Sequence, residues 1–203
     1  MAKRKSSSRG YSPRKVDIKE VKQRFLIVCE GEKTEPNYFR SFRVPRNVVE
    51  IDVKGVGENP SKLIESAKEL KDQDEDDYNQ VWCVFDRDDW TSEDFNNAIQ
   101  KAEGQGFKVA YSNEAFELWY VLHFEFLNAG IPRSDYAKKL SRFFNKEYKK
   151  NSETIYNELL SKQDKAIKNA IKLLAQYDCH SPANDNPSTT VHLLVQELNK
   201  FVN

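Results

Sequence analysis

The sequence has no run of eighteen apolar residues and no apolar centre near its N-terminus, so it offers neither a transmembrane helix nor a secretory signal. The expectation is a soluble, cytoplasmic protein with no membrane partner. Cysteine is scarce: Cys29, Cys83 and Cys179 are odd in number and widely spaced, and two of them sit in apolar runs, which suits buried thiols rather than a disulfide framework. Cys179-His180 with His192 lacks the second Cys pair that a structural zinc site needs. Net charge is absent too, the 32 basic residues balancing 32 acidic ones, so bulk charge gives no general pull towards nucleic acid. No Gly-x-Gly-x-x-Gly follows the first strand-like run, which argues against a dinucleotide-binding enzyme. No internal repeat is visible.

The charge is unevenly placed. The first 24 residues carry nine Lys or Arg against Asp17 and Glu20, leaving an acidic remainder. Residues 1–23 therefore read as a disordered basic arm that either contacts phosphates or simply solubilises the chain. At 203 residues the rest can bury a good core without staples.

From Arg24 the hydrophobic period switches repeatedly between strand and helix values. Phe25 to Cys29 is apolar throughout, as in a parallel strand buried on both faces. Thr34-Glu35-Pro36 starts a helix running through Tyr38, Phe39 and Phe42. Val48 to Val53 alternates as a second strand, and Asn59-Pro60 opens a helix with Leu63, Ile64, Ala67 and Leu70 on one stripe. Val81 to Phe85 is a third strand, Ser92 to Glu103 a third helix, and Phe107 to Tyr111 a fourth strand. Strands and helices alternating at this spacing predict an α/β fold with a mainly parallel, Rossmann-like sheet over residues 24–112. Residues 113–203 read as a helical cap packed on that core, with helices over Ala115–Phe124, Ser134–Lys150 and Lys162–Gln176 and a last one after Pro187.

In an open parallel sheet the ligand site lies beyond the carboxyl ends of the strands. Glu30 ends the first strand and Asp86, Asp88 and Asp89 follow the third. Carboxylates gathered at one sheet edge repel each other, and a hard divalent cation such as magnesium or manganese compensates them while leaving positions open to water and phosphate. Any one of these acids alone could instead be a helix cap, but their joint placement with Glu30-Gly31 favours a metal site. Gly31 is read as giving the backbone freedom to turn.

Glu117 is a candidate for a further ligand, sharing a helix face with Asn113 and Phe116. Lys33 and Arg87 are candidates for neutralising charge on a transferring phosphate, or else are solvated surface charges. Lys138, Lys139, Arg142 and Lys146, in a basic segment interleaved with aromatics, can track a nucleic-acid backbone or form a solvated helix face. His123 reads as a packed histidine, and the aromatics from Phe116 to Phe126 as core.

Leu26-Ile27-Val28-Cys29-Glu30-Gly31 followed by Val84-Phe85-Asp86-Arg87-Asp88 resembles the Toprim pattern, a strand ending in Glu-Gly and a later one ending in Asp-x-Asp. More finely, Glu30-Gly31-Glu32-Lys33-Thr34-Glu35-Pro36-Asn37-Tyr38-Phe39, Phe85 to Asp89, Ser112 to Trp119 with His123-Phe124, and Asn186 to Val191 resemble the RloB-like family of bacterial defence proteins. The resemblance implies a Toprim-like fold and a metal-dependent nuclease centre. Glu30, Asp86 and Asp88 would be the ligands, and Glu117 and Lys33 would assist catalysis. It also implies a role in phage defence or abortive infection beside an RloA-like ATPase. A regulatory metal- or nucleotide-binding module that cuts nothing is the alternative, and homo-oligomerisation is compatible with either. One departure is that Toprim Asp-x-Asp is usually followed closely by Gly, whereas here Asp89-Trp90 follows.

Overall fold

A computed structural model describes residues 22–88 and 90–202. The basic arm, apart from Lys22 and Gln23, and Asp89 lie outside the described residues. Four parallel strands, β1 (Gln23–Cys29), β2 (Val49–Gly55), β3 (Gln80–Asp86) and β4 (Lys108–Asn113), are joined by a short antiparallel β5 (Ser188–Thr189) in the order β2-β1-β3-β4-β5. The connecting helices are α1 (Thr34–Arg40), α2 (Pro60–Gln73) and α3 (Ser92–Gly104). After β4 come α4 (Glu117–Leu122), α5 (Arg133–Phe144), α6 (Ile155–Leu159), α7 (Gln163–Leu174) and α8 (Val191–Asn199).

The sheet is buried on both faces, which is why β1 and β3 are apolar at consecutive positions. Phe25, Ile27, Trp82 and Val84 pack into one core with Tyr38 and Phe39 of α1, Leu118 to Leu122 of α4 and the apolar sides of α7 and α8. Leu26, Val28, Cys83 and Phe85 point the other way, onto Leu63 and Ile64 of α2 and Phe95 and Ala98 of α3. Caps fix where two of these helices start: Asn59 accepts from the Lys62 N–H, and Thr91 from the Asp94 N–H.

In register, Cys29 sits beside both Gly55 and Val84, and Asp86 beside Ser112, so the carboxyl ends of the four parallel strands form one edge. The chain leaves β1 towards β2 and leaves β3 towards β4 on the opposite side. The gap between the ends of β1 and β3 is therefore the switch point at which such sheets form their ligand crevice.

The C-terminal half departs from the sequence expectation in several places. The basic helix stops at Phe144 rather than Lys150, because Asn145 turns left-handed (φ 51°) and ends it. The helix expected over Ala115–Phe124 keeps only Glu117–Leu122, and Asn113 closes β4 instead of sharing a helix face with Glu117. Its side-chain amide donates to the carbonyls of Pro182 and Ala183. The short α6 and β5 carry too little periodicity to be read from sequence. β5 is held by Thr189 and Thr190, whose hydroxyls and backbone bind Tyr111 and Val109.

Candidate functional site

At the switch point lies a pocket of about 400 Å³ lined by Glu30, Lys33, Glu35, Asp86, Asp88 and Arg133, among others. Strand ends deliver Glu30 and Asp86, the first turn of α1 delivers Glu35, and the N-terminus of α5 delivers Arg133. Glu30 is held by two donors: the Asp86 N–H at 3.1 Å and the Trp90 indole N–H at 3.2 Å. Asp86, 6 % exposed, accepts from the Phe116 N–H at 3.0 Å through Oδ2, while its buried Oδ1 has no partner. Phe116 immediately precedes α4, so Asp86 ties the third strand to the start of that helix.

Glu35 was not singled out from sequence, where it looked like an ordinary acid in a helix's first turn. It is 6 % exposed, and its Oε2 is buried without a partner. The only hint in the sequence is its place five residues after Glu30 in the same motif. Gly31 is required by Glu35 rather than by backbone freedom. Its φ is not left-handed, but a Cβ there would lie 2.1 Å from Glu35 Oε2 and 2.9 Å from Cδ. Gly31→Ala is accordingly expected to push the Glu35 carboxylate out of place, costing about 1–3 kcal/mol in urea unfolding.

Glu117 is also 6 % exposed and accepts from the Tyr148 hydroxyl at 3.3 Å. Burial pushes the Asp86 carboxyl well above its usual range, and the charges of Glu35, Glu117 and Glu30 add to the shift. Burial, then Glu117, pushes Glu35 up to about 7. Burial also raises Glu30 against the lowering effect of its two hydrogen bonds. Four carboxyl groups thus feel one another across a partly dry site, the arrangement that a bound cation would relieve.

Asp88 lines the same pocket, and its charge adds to the raising of Glu30. It forms an ion pair with Arg133 and adopts a left-handed backbone, φ +37°. Among the described residues no three His, Cys, Asp or Glu side chains stand close enough to form a ready-made metal site. The reasons are local: Glu30 is held by Asp86 and Trp90, and Asp88 by Arg133. The donor set still suits a hard cation, since Asp86 Oδ1 and Glu35 Oε2 are buried acceptors with nothing to accept from.

The other residues read from sequence fall in different places. Lys33 is exposed and lines the pocket just before α1. Arg87 is half-buried and turns back on its own loop, reaching the Asp88 carbonyl and Ser92 hydroxyl at 3.4 Å. On α5 and just beyond it, Lys138 pairs with Asp135 at 2.7 Å, Lys139 with Glu125 at 2.5 Å and Lys146 with Glu158 at 2.7 Å, while Arg142 is exposed. Phe143 and Phe144 of this segment pack on Phe124. His123 is buried, with Nδ1 2.9 Å from the Trp119 carbonyl and its pKa lowered by burial to about 4.

No helix of the described residues is long and apolar enough to cross a membrane. No curated protein and no solved structure matches the chain. A family model described as RloB-like protein matches residues 25–198, the whole stretch from β1 to α8 that builds the sheet, the carboxylate pocket and the helices behind it. The chain belongs to the RloB-like family.

Proposed function

We propose that the strand-end pocket is a magnesium- or manganese-dependent centre that cleaves phosphodiester bonds in nucleic acid. The observation carrying this reading is the convergence of Glu30, Asp86, Glu35 and Glu117 at the switch point, with two buried carboxylate oxygens left unpartnered. Glu30, Asp86 and Asp88 would hold the ion, with Glu35 and Glu117 beside them. A bound divalent ion would supply charge stabilisation at the transferring phosphate and lower the pKa of a coordinated water.

The chain's own residues divide the remaining work. Lys33, exposed at the pocket rim, can meet a phosphate oxygen. Glu35, buried beside Asp86 with one unpartnered carboxylate oxygen, is placed to accept a proton once a bound cation has ionised it. Glu30, fixed by the Asp86 and Trp90 N–H groups, presents its carboxylate in one orientation. Arg133 occupies the Asp88 carboxylate in the resting protein, which favours a centre that is quiet until substrate or a partner displaces the arginine. Family membership and the resemblance to defence proteins support a role in phage defence or abortive infection, with control by an RloA-like ATPase.

Arg133→Ala is expected to free Asp88 and to tighten manganese binding several-fold, read by calorimetry. Unchanged affinity would remove Asp88 from the ligand set. The activity itself is tested by incubating pure protein with tRNA, total RNA and DNA in magnesium, in manganese and in EDTA. Metal-dependent cleavage, lost in Glu30→Ala and Asp88→Ala, is expected. Intact nucleic acid throughout, with an ATPase partner present as well as absent, would reject the nuclease and leave a metal- or nucleotide-binding regulatory module.

A further inference from the structure

We infer that a second, cationic groove beside the edge strand β2 seats the sugar-phosphate backbone of the nucleic acid whose scissile bond reaches the carboxylate pocket. The inference rests on the nucleic-acid reading above and adds where the polymer lies. The groove, about 780 Å³, runs between the C-terminal end of α1 and the first half of β2. It is lined by Lys22, Arg40, Arg43 and Arg46 against the single carboxylate of Glu50.

That carboxylate is already committed, to Lys22 at 2.5 Å and to Arg24 at 3.7 Å. Arg40 is anchored by donating to the Val53 carbonyl at 2.8 Å, a contact that fixes its position without cancelling its charge. Arg43 and Arg46 are exposed, and neither forms a salt bridge among the described residues. Three guanidinium groups thus face one groove with no acidic partner among the described residues. The lysines of the α5 segment, the expected binding surface, are by contrast mostly paired with acids of their own.

One helix connects the two sites. Thr34 and Glu35 at the start of α1 line the carboxylate pocket, and Phe39 and Arg40 at its end line the groove. Seven helical residues rise roughly 10 Å, about three base-pair steps of a duplex at 3.4 Å each along its axis. A backbone entering along β2 therefore arrives at the carboxylates within a few nucleotides. Planar guanidinium forks suit phosphate oxygens, and the groove lies beside β2, the edge strand of the sheet.

The test is fluorescence anisotropy of the full chain with a labelled single-stranded RNA and a labelled DNA duplex. It is run in EDTA across a salt series, so that binding is read without cleavage. Arg43→Gln/Arg46→Gln should bind about tenfold more weakly at moderate salt. It should also flatten the plot of log K against log salt by about 1.4 for the RNA or 1.8 for the duplex, two phosphates' worth. An unchanged slope and affinity on both probes would overturn the inference, even if the parent cleaves nucleic acid. A slope that moves instead in Lys138→Gln/Arg142→Gln would overturn it as well, placing the contact on α5. The expected slope change in a protein that cleaves nothing would uphold the groove while the nuclease reading falls.

Discussion

A variant carrying Asp86→Asn is expected to unfold at a higher temperature than the parent in EDTA and to lose the further stabilisation that manganese gives the parent. Asparagine keeps the oxygen that accepts from the Phe116 N–H, so the tie between β3 and α4 survives. Where Asp86 has an unpartnered buried oxygen, the new amide nitrogen places donors near Glu35 and Glu117, whose charges oppose ionisation of Asp86. To fold, the parent must either take up a proton at Asp86 or bury a repelled charge; the variant needs neither, and each kcal/mol gained raises the melting point of a chain this size by about 2–4 °C.

Metal response should move oppositely. A ligand at a hundredfold excess over its Kd stabilises by about 2.7 kcal/mol, roughly 5–10 °C here, and the variant should show almost none of it. Thermal unfolding with and without manganese reads both effects. A variant less stable than the parent in EDTA, yet equally raised by manganese, would place Asp86 in the core rather than in a metal centre.

The second large effect concerns pH. Burial holds the Glu35 carboxyl near 7 against an ordinary 4.5, so the folded state keeps this proton after the unfolded chain has released it. Its contribution to stability is complete below about 4.5 and is lost as pH rises through about 7. The loss is on the order of 3 kcal/mol. Glu35→Gln, which cannot ionise, should remove that loss. In urea unfolding under EDTA the difference between Glu35→Gln and parent should grow from pH 4.5 to pH 8 in favour of the variant. Groups away from the pocket titrate equally in both proteins, among them His123 and His192, each lowered to about 4 by burial. A constant difference across the window would mean that Glu35 is already ionised and solvated.

The β/α alternation up to Asn113 was legible because both sheet faces are covered, and full burial writes itself as unbroken apolar runs at Phe25–Cys29 and Val81–Phe85. Strand-end acids were legible for the same reason: a charged residue directly after such a run can only sit at the sheet's edge. The strand order was not legible, since nothing local says that β3 lies beside β1, and that order is what puts Glu30 next to Asp86.

Glu35 was hidden because a first-turn glutamate is commonplace, and only the Gly31 approach and its burial distinguish it. The pairing of Arg133, itself part of the basic segment, with Asp88 was hidden because the two are 45 residues apart in sequence, beyond any periodicity. The basic stretch around α5 looked like a binding surface because its pairing acids Glu125 and Glu158 lie outside the helix. Arg43 and Arg46, only two charges in a short loop, gave no signal until the edge strand was placed beside them.

The claim that the strand-end pocket is a divalent-metal centre is tested most directly by calorimetric titration of the metal-free protein with manganese, repeated in two buffers of different ionisation enthalpy at pH 6 and pH 8. Binding must displace protons held by Glu35 and Asp86, whose carboxyls are raised by burial and mutual repulsion. Saturable binding is predicted, with a buffer-dependent heat that reports proton release at pH 6 and shrinks at pH 8. Absence of binding at either pH, or binding whose heat ignores the buffer at pH 6, would contradict it.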